Sequence, residues 1–290
     1  MRKGVGKTIQ ARQLGRHLRE LRKEAGVGVD AAVREIGVSD ATLYRFEAGT
    51  SVPRPPDVKA LCAMYGTDAD LIDGLVGLAK EANSPGWWRS YMGVIPRGVD
   101  TYVSLEGAAE HIRSYEMDVV HGLLQTPRYA EALFRTAIPV PSEDEVRRRI
   151  DVRMRRQRIL DRRTAPRLDV VVGEVALLRS PGDDIMAEQL AHLDALSRRP
   201  DLTIRVLPMN LLHGGLVCGA RFHMMTFPTD RRGLGEPPVV HAENLTGGVF
   251  LSEPEEIDAY ELIWNAVLEV ALSPPESRAL INDYRERYER

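Results

Sequence analysis

The sequence predicts an all-α domain of five helices over residues 1–84, followed by an α+β domain over residues 85–290 with a small mixed sheet covered by helices. Three observations carry this. Up to Gly66 the chain is a series of short amphipathic segments closed by single glycines, after Arg167 the period changes to β-branched runs, and Asn83-Ser84-Pro85-Gly86 breaks the pattern between them. The length of 290 residues fits two domains at about 150 residues each.

In the first segment Leu14, Leu18 and Leu21 recur at helical spacing, with Arg12, Arg16, Arg19 and Arg22 between them and Gly26 as a C-terminal stop. This predicts an amphipathic first helix over Arg12 to Ala25 with a basic outer side. A second helix over Val29–Ile36 ends at Gly37, and Ser39 is placed to cap a third that runs through Ala48. The two meet across Gly37-Val38-Ser39. A helix-turn-helix needs a residue tolerant of positive φ at such a corner and apolar residues where the helices clasp. Ala32, Ile36, Val38, Leu43 and Phe46 supply the clasp. Asp40, Ala41, Thr42, Tyr44 and Arg45 are turned outward, where side chains enter a major groove. A fourth helix follows Pro53-Arg54-Pro55-Pro56, with Val58, Leu61, Cys62 and Tyr65 on one side. A fifth runs from about Asp68 to Ala82, with Leu71, Ile72, Leu75 and Leu78 inward.

The segments Leu14-Gly15-Arg16-His17-Leu18-Arg19-Glu20-Leu21-Arg22, Ile36-Gly37-Val38-Ser39 and Leu43-Tyr44-Arg45-Phe46-Glu47-Ala48-Gly49 resemble the lambda-repressor-like DNA-binding domain of the XRE type. The resemblance implies that Glu47 is structural, pairing toward the first helix, and that Ser39, Asp40, Thr42, Tyr44 and Arg45 read or grip DNA. Arg12 and Arg16 on the first helix and Arg54 before the fourth complete the set of expected DNA contacts. Asp40 is expected to serve the helix dipole rather than a base. The sequence departs from the family at Val29, where a glutamine is usual, and at Val33, where a small alanine is usual.

Beyond the break, helices are predicted over Leu105 to Tyr115, Pro127 to Ala137 and from Ser142 onward, the last opened by a capping box of Ser142 and Glu145. Five strands are predicted: Leu168–Val172, Thr203–Leu207, Arg221–Phe227, Val239–Ala242 and Gly248–Leu251. A helix with Met186, Leu190 and Leu193 inward lies between the first two. Two closing helices run over Pro254–Leu272 and from Pro275 to about Tyr288. Trp87-Trp88, Gly122-Leu123-Leu124-Gln125-Thr126, Val206-Leu207-Pro208, Leu245-Thr246-Gly247-Gly248 and Leu272-Ser273-Pro274 are similar to the DUF5753 domain that follows XRE domains in actinobacterial regulators. That resemblance implies a Streptomyces-like regulator of development or antibiotic production. It also implies a possible small partner of the DUF397 type, and a likeness to antitoxins.

Composition and charge set the partners. At 43% hydrophobic and 28% charged the chain is neither disordered nor collagen-like, and no apolar run approaches the roughly 20 residues that cross a bilayer. With Met1-Arg2-Lys3-Gly4 leading into a charged helix, a cytoplasmic protein without a membrane partner is expected. The net charge of −3 conceals an asymmetry: residues 1–60 hold 12 basic against 7 acidic side chains, while residues 61–290 hold 27 against 35. A basic head on an acidic body fits double-stranded DNA at the head. Gly4-Val5-Gly6-Lys7-Thr8 ends like a phosphate-binding loop but lacks its first glycine and a preceding strand, so a basic arm is expected.

No catalytic, metal or cofactor residues are assigned. Cys62 and Cys218 are expected to be reduced and buried, and the histidines lack metal-ligand spacing. His213-Gly214-Gly215 comes without a nucleophile elbow, and His241 with Glu243 is more often a polar patch at a sheet edge than a proton donor. The run Arg147, Arg148, Arg149, Arg153, Arg155, Arg156, Arg158, Arg162 and Arg163 is expected to be a solvated or acid-paired helix rather than a second DNA contact. The expected protein is therefore a homodimeric, sequence-specific transcriptional regulator that is not an enzyme, with a small-molecule effector or a small protein partner for its body. The alternative is an antitoxin-like interaction protein that sequesters a small partner and regulates its own operon.

Overall fold

Each of the first four helices ends where the sequence places a glycine in the left-handed conformation. In the computed structural model, which describes residues 9–83, 99–210, 221–229, 235–244 and 247–290, α1 spans Ile9–Glu24, α2 Val29–Ile36, α3 Asp40–Glu47, α4 Pro55–Met64 and α5 Ala69–Asn83. Gly37 adopts φ 66° and ψ 39° at the corner between α2 and α3, a conformation that an L side chain resists. Leu14, Leu18 and Leu21 of α1 pack with Leu43, Val58, Leu61, Cys62, Tyr65 and Leu75 in one core, with Ile36, Val38, Leu71, Ile72 and Leu78 at its margin. The five expected helices and their inward faces are all present.

The chain divides into two compact units, and the division is not sequential. The first comprises Met1–Ser90, Asp100–Ala108 and Pro228–Glu236, and the second comprises Tyr91–Val99, Ala109–Phe227 and Pro237–Arg290. The expected basic arm, the boundary at residue 84, Trp87-Trp88, His213-Gly214-Gly215, Cys218 and Leu245-Thr246 lie outside the described residues.

The second unit is built on a six-stranded mixed sheet of order β3-β2-β1-β4-β5-β6. Its strands are β1 His111–Glu116, β2 Arg167–Gly173, β3 Leu202–Leu207, β4 Phe222–Thr226, β5 Val239–Asn244 and β6 Gly247–Leu251. The first three run parallel to one another, and β1, β4, β5 and β6 form an antiparallel series. The helix expected over Leu105 to Tyr115 is corrected by this arrangement: α6, Val99–Ala108, stops short, and residues 111–116 become the strand that joins the two halves. With neighbours on both edges and Ile112, Ser114, Tyr115 and Glu116 all buried, tertiary pairing overrides the local pattern.

The remaining elements follow expectation, except that a short helix, Val175–Leu178, precedes the expected one between β2 and β3. Helix α7, Pro127–Arg135, is capped by Thr126, and α8, Glu143–Gln157, opens with the Ser142–Glu145 capping box. Then come α9, Val175–Leu178, and α10, Asp183–Leu196, which buries Met186, Leu190 and Leu193. The closing helices are α11, Pro254–Val270, and α12, Pro274–Tyr288. Ile257, Trp264 and Val267 of α11 meet Tyr115, Val171, Phe222, Met224 and Val240 on one face of the sheet. The other face of β1, β4 and β5 carries polar side chains, Ser114, Glu116, His223 and His241, and all four are buried. Among the described residues no helix is long and apolar enough to cross a membrane.

Candidate nucleic-acid interface

Helix α3 divides its residues cleanly. Leu43, Phe46 and Glu47 are buried, while Asp40, Ala41, Tyr44 and Arg45 are exposed and Thr42 is half-buried. Tyr44 is 56% exposed, which is large for an aromatic ring on a small helical domain. Ser39 stands at the N-cap position with an extended backbone, but its side chain makes no capping bond. Its Oγ instead lies 3.0 Å from Thr42 Oγ1, and Arg45 Nη2 donates to the same Thr42 oxygen at 3.0 Å. Ser39, Thr42 and Arg45, three residues apart, thus form one polar row along the outer face, with donors and acceptors of the kind that meet base edges and phosphates. Asp40 sits in the first turn, where a carboxylate favours the helix dipole.

What holds α3 in place is a buried ion pair. Arg22 of α1 donates from Nε to Glu47 Oε1 at 2.6 Å and from Nη2 to Glu47 Oε2 at 3.0 Å, and its Nη1 also reaches the Val27 carbonyl at 3.1 Å. The fork raises the pKa of Arg22 above the usual guanidinium value. The scaffolding role expected for Glu47 has this geometric basis. Backbone contact reinforces it: a Cβ on Gly15 of α1 would lie 2.3 Å from the Phe46 carbonyl, and one on Gly49 would lie 2.5 Å from Arg12 Cα.

The other three expected DNA contacts have carboxylate partners. Arg54 is exposed, yet its Nε and Nη2 each donate at 2.9 Å to the carboxylate of Asp57. Arg12 Nε lies 3.2 Å from Glu236 Oε1, and Arg16 reaches Glu236 Oε2 at 3.5 Å and the Gly235 carbonyl. Glu236 is buried, and burial holds its carboxyl above the usual range although both guanidiniums pull the other way. Nothing in the spacing of the sequence pointed to a carboxylate more than two hundred residues away.

A second cluster of ionisable groups lies within the sheet unit, and sequence reasoning missed it. Glu116 ends β1, and His223 on β4 sits opposite Ser114 in the neighbouring register. Glu116 Oε1 lies 2.8 Å from His223 Nε2 and accepts from Ser114 Oγ at 3.3 Å. The His121 ring meets that of His223 edge to face at 5.0 Å. His241, opposite His223 on β5, stacks on Phe250 at 4.7 Å. Its companion in the expected polar patch, Glu243, is exposed and pairs with Arg221. Burial, with His223, Arg156 and Arg153 nearby, pushes the His121 imidazole well below its ordinary pKa, and His241 falls to about 4, chiefly through burial. The arginine run of α8 is divided: Arg147 and Arg148 are exposed, and Arg147 pairs with Asp144, while Arg153 turns inward and donates to Gln125 Oε1 at 2.9 Å.

Family models match two separate stretches of the chain. A family model described as a helix-turn-helix domain matches residues 13–75, which contain α2, α3 and the Arg22–Glu47 pair. No curated protein and no solved structure matches the chain significantly. A model described as a domain of unknown function, DUF5753, matches residues 99–283, more than half of the chain, which therefore belongs to the DUF5753 family and carries a helix-turn-helix domain ahead of it.

Proposed function

We propose that the protein is a sequence-specific, homodimeric transcriptional regulator of the Streptomyces-like kind, acting by binding rather than by catalysis. The observation that carries this is the α3 surface. Its buried side is locked to α1, and its outer side presents Ser39, Asp40, Thr42, Tyr44 and Arg45 together, the arrangement of a recognition helix. One such helix reads too few base edges for genomic specificity, so two copies are required, set on half-sites about 34 Å apart along the duplex. The sheet unit would supply the dimer contact and receive an effector or a small protein partner.

The test is selection of bound duplexes from a random pool by the full chain, followed by sedimentation with the selected site. Recovery of an inverted repeat bound by two chains supports the reading. A single chain on an asymmetric site removes the dimer from it.

A further inference from the structure

We propose that Glu116, His121 and His223 form a site for one divalent transition-metal ion, with zinc as the ion whose chemistry the donors fit. One donor atom from each of the three residues lies within 4.8 Å of the others, and all three side chains are buried. Metal–donor bonds of about 2.0–2.1 Å in a tetrahedron set donors about 3.4 Å apart, so the Glu116–His223 contact of 2.8 Å has to open slightly and no donor pair, all within 4.8 Å, has to close by more than about 1.4 Å. The strands place the carboxylate and one imidazole on the same face of the sheet, and the turn at Gly122–Leu124 brings the second imidazole from five residues further along.

Two buried atoms point independently to a missing partner. Among the described residues Glu116 Oε2 and His121 Nε2 have no hydrogen bond. A buried carboxylate oxygen and a buried ring nitrogen left in that condition are expensive, and a cation between them satisfies both. The donor set selects the ion. Calcium and magnesium want shells of oxygen, whereas one carboxylate and two imidazoles suit zinc and its neighbours. Arg153 and Arg156 lie near enough to His121 to disfavour positive charge there, so the ion must be held by the strength of nitrogen donors rather than by surplus negative charge.

The surroundings hold the ligands in place. Ser114 Oγ orients Glu116. The loop that carries His121 is fastened by Gln125 to the Val120 carbonyl at 2.6 Å, by Gln157 to the Gln125 carbonyl at 2.7 Å and by Gln189 to the Leu124 carbonyl at 2.7 Å. Outer partners of this kind set ligand orientation in metal sites. On loading, His223 coordinates through Nε2 and carries its ring proton on Nδ1, so its hydrogen bond to Glu116 gives way to the ion. The His121 proton moves from Nε2 to Nδ1, at the loss of one 3.3 Å bond from the Leu123 amide.

The proposal does not depend on DNA recognition, and its test does not measure DNA binding. The full chain is stripped with a chelator and titrated with cobalt(II), then with zinc. Visible d–d absorption saturating at about one equivalent, displaced by zinc and accompanied by a rise in melting temperature, is expected. In the cobalt protein two shifted exchangeable imidazole N–H resonances are expected, which count the histidine ligands without any substitution. Glu116→Gln and His121→Ala should each weaken binding at least tenfold. A stripped wild-type chain with unchanged circular dichroism and no cobalt absorption overturns the proposal. So does undiminished binding in a folded Glu116→Gln or His121→Ala variant, and should those variants fail to fold, the wild-type spectrum and its imidazole count decide alone.

Discussion

Arg22 and Glu47 meet through two parallel hydrogen bonds, at 2.6 and 3.0 Å, and so fasten α1 to the C-terminal end of α3. Both side chains are largely buried, at 12% and 5% exposure. Removing one partner strands the other charge. Glu47→Ala and Arg22→Ala should each lower stability by about 3 kcal/mol in urea unfolding, with most of the loss recovered when both are replaced together by apolar residues. Equal stability of Glu47→Ala and wild type would remove the pair from the account of how α3 is positioned.

The outer face should behave differently. Arg45→Ala leaves the core untouched and should lower affinity for the selected duplex by ~1–3 kcal/mol with little change in melting temperature. Thr42→Val breaks the row between Ser39 and Arg45 and should weaken binding in the same direction. Fluorescence anisotropy with labelled duplex measures both.

The same substitution should take opposite signs at two glycines. A Cβ at Gly15 collides with the Phe46 carbonyl at 2.3 Å, so Gly15→Ala must part α1 from α3 and should destabilise by about 1–3 kcal/mol. Gly74, inside α5, has nothing within 4 Å of an added Cβ, and Gly74→Ala should stabilise by about 0.5–1 kcal/mol. Calorimetric melting of the two variants separates close backbone approach from simple helix propensity.

Glu236 supplies a prediction with a pH sign. Its folded pKa is raised above the ordinary glutamate value, by burial, so the contribution it makes to stability is present in full at low pH and is lost as pH rises through the raised value. Glu236→Gln should therefore leave the melting temperature at neutral pH unchanged or higher. It should also release Arg12 and Arg16 from their carboxylate, steepening the dependence of log K on log salt by roughly one to two units if both then meet phosphates. A slope that does not move would leave the α1 arginines without a role on DNA.

The helical unit was legible because its signals are local. Gly26, Gly37, Gly49 and Gly66 all take positive φ where the pattern demanded a stop, and Leu14, Leu18 and Leu21 repeat at the helical period. Strand β1 was not, because buried Ser114 and Glu116 break the alternation that marks a half-buried strand. Those polar residues are the ones that meet His223, so the residues that hid the strand also compose the ionisable cluster. Glu116, His121, His223 and His241 come from separate elements and have no fixed spacing to read. Glu236 was equally invisible: its link to Arg12 and Arg16 depends on a segment folding back from beyond residue 227.

The central claim is that α3 reads DNA sequence, and it is tested most directly by selection from a random duplex pool with the wild-type chain and with Arg45→Ala side by side. The account predicts that the wild type enriches an inverted repeat with half-sites about one helical turn apart, and that the variant relaxes the preference at one position of each half-site. A wild-type chain that leaves the pool unenriched at low salt would contradict it.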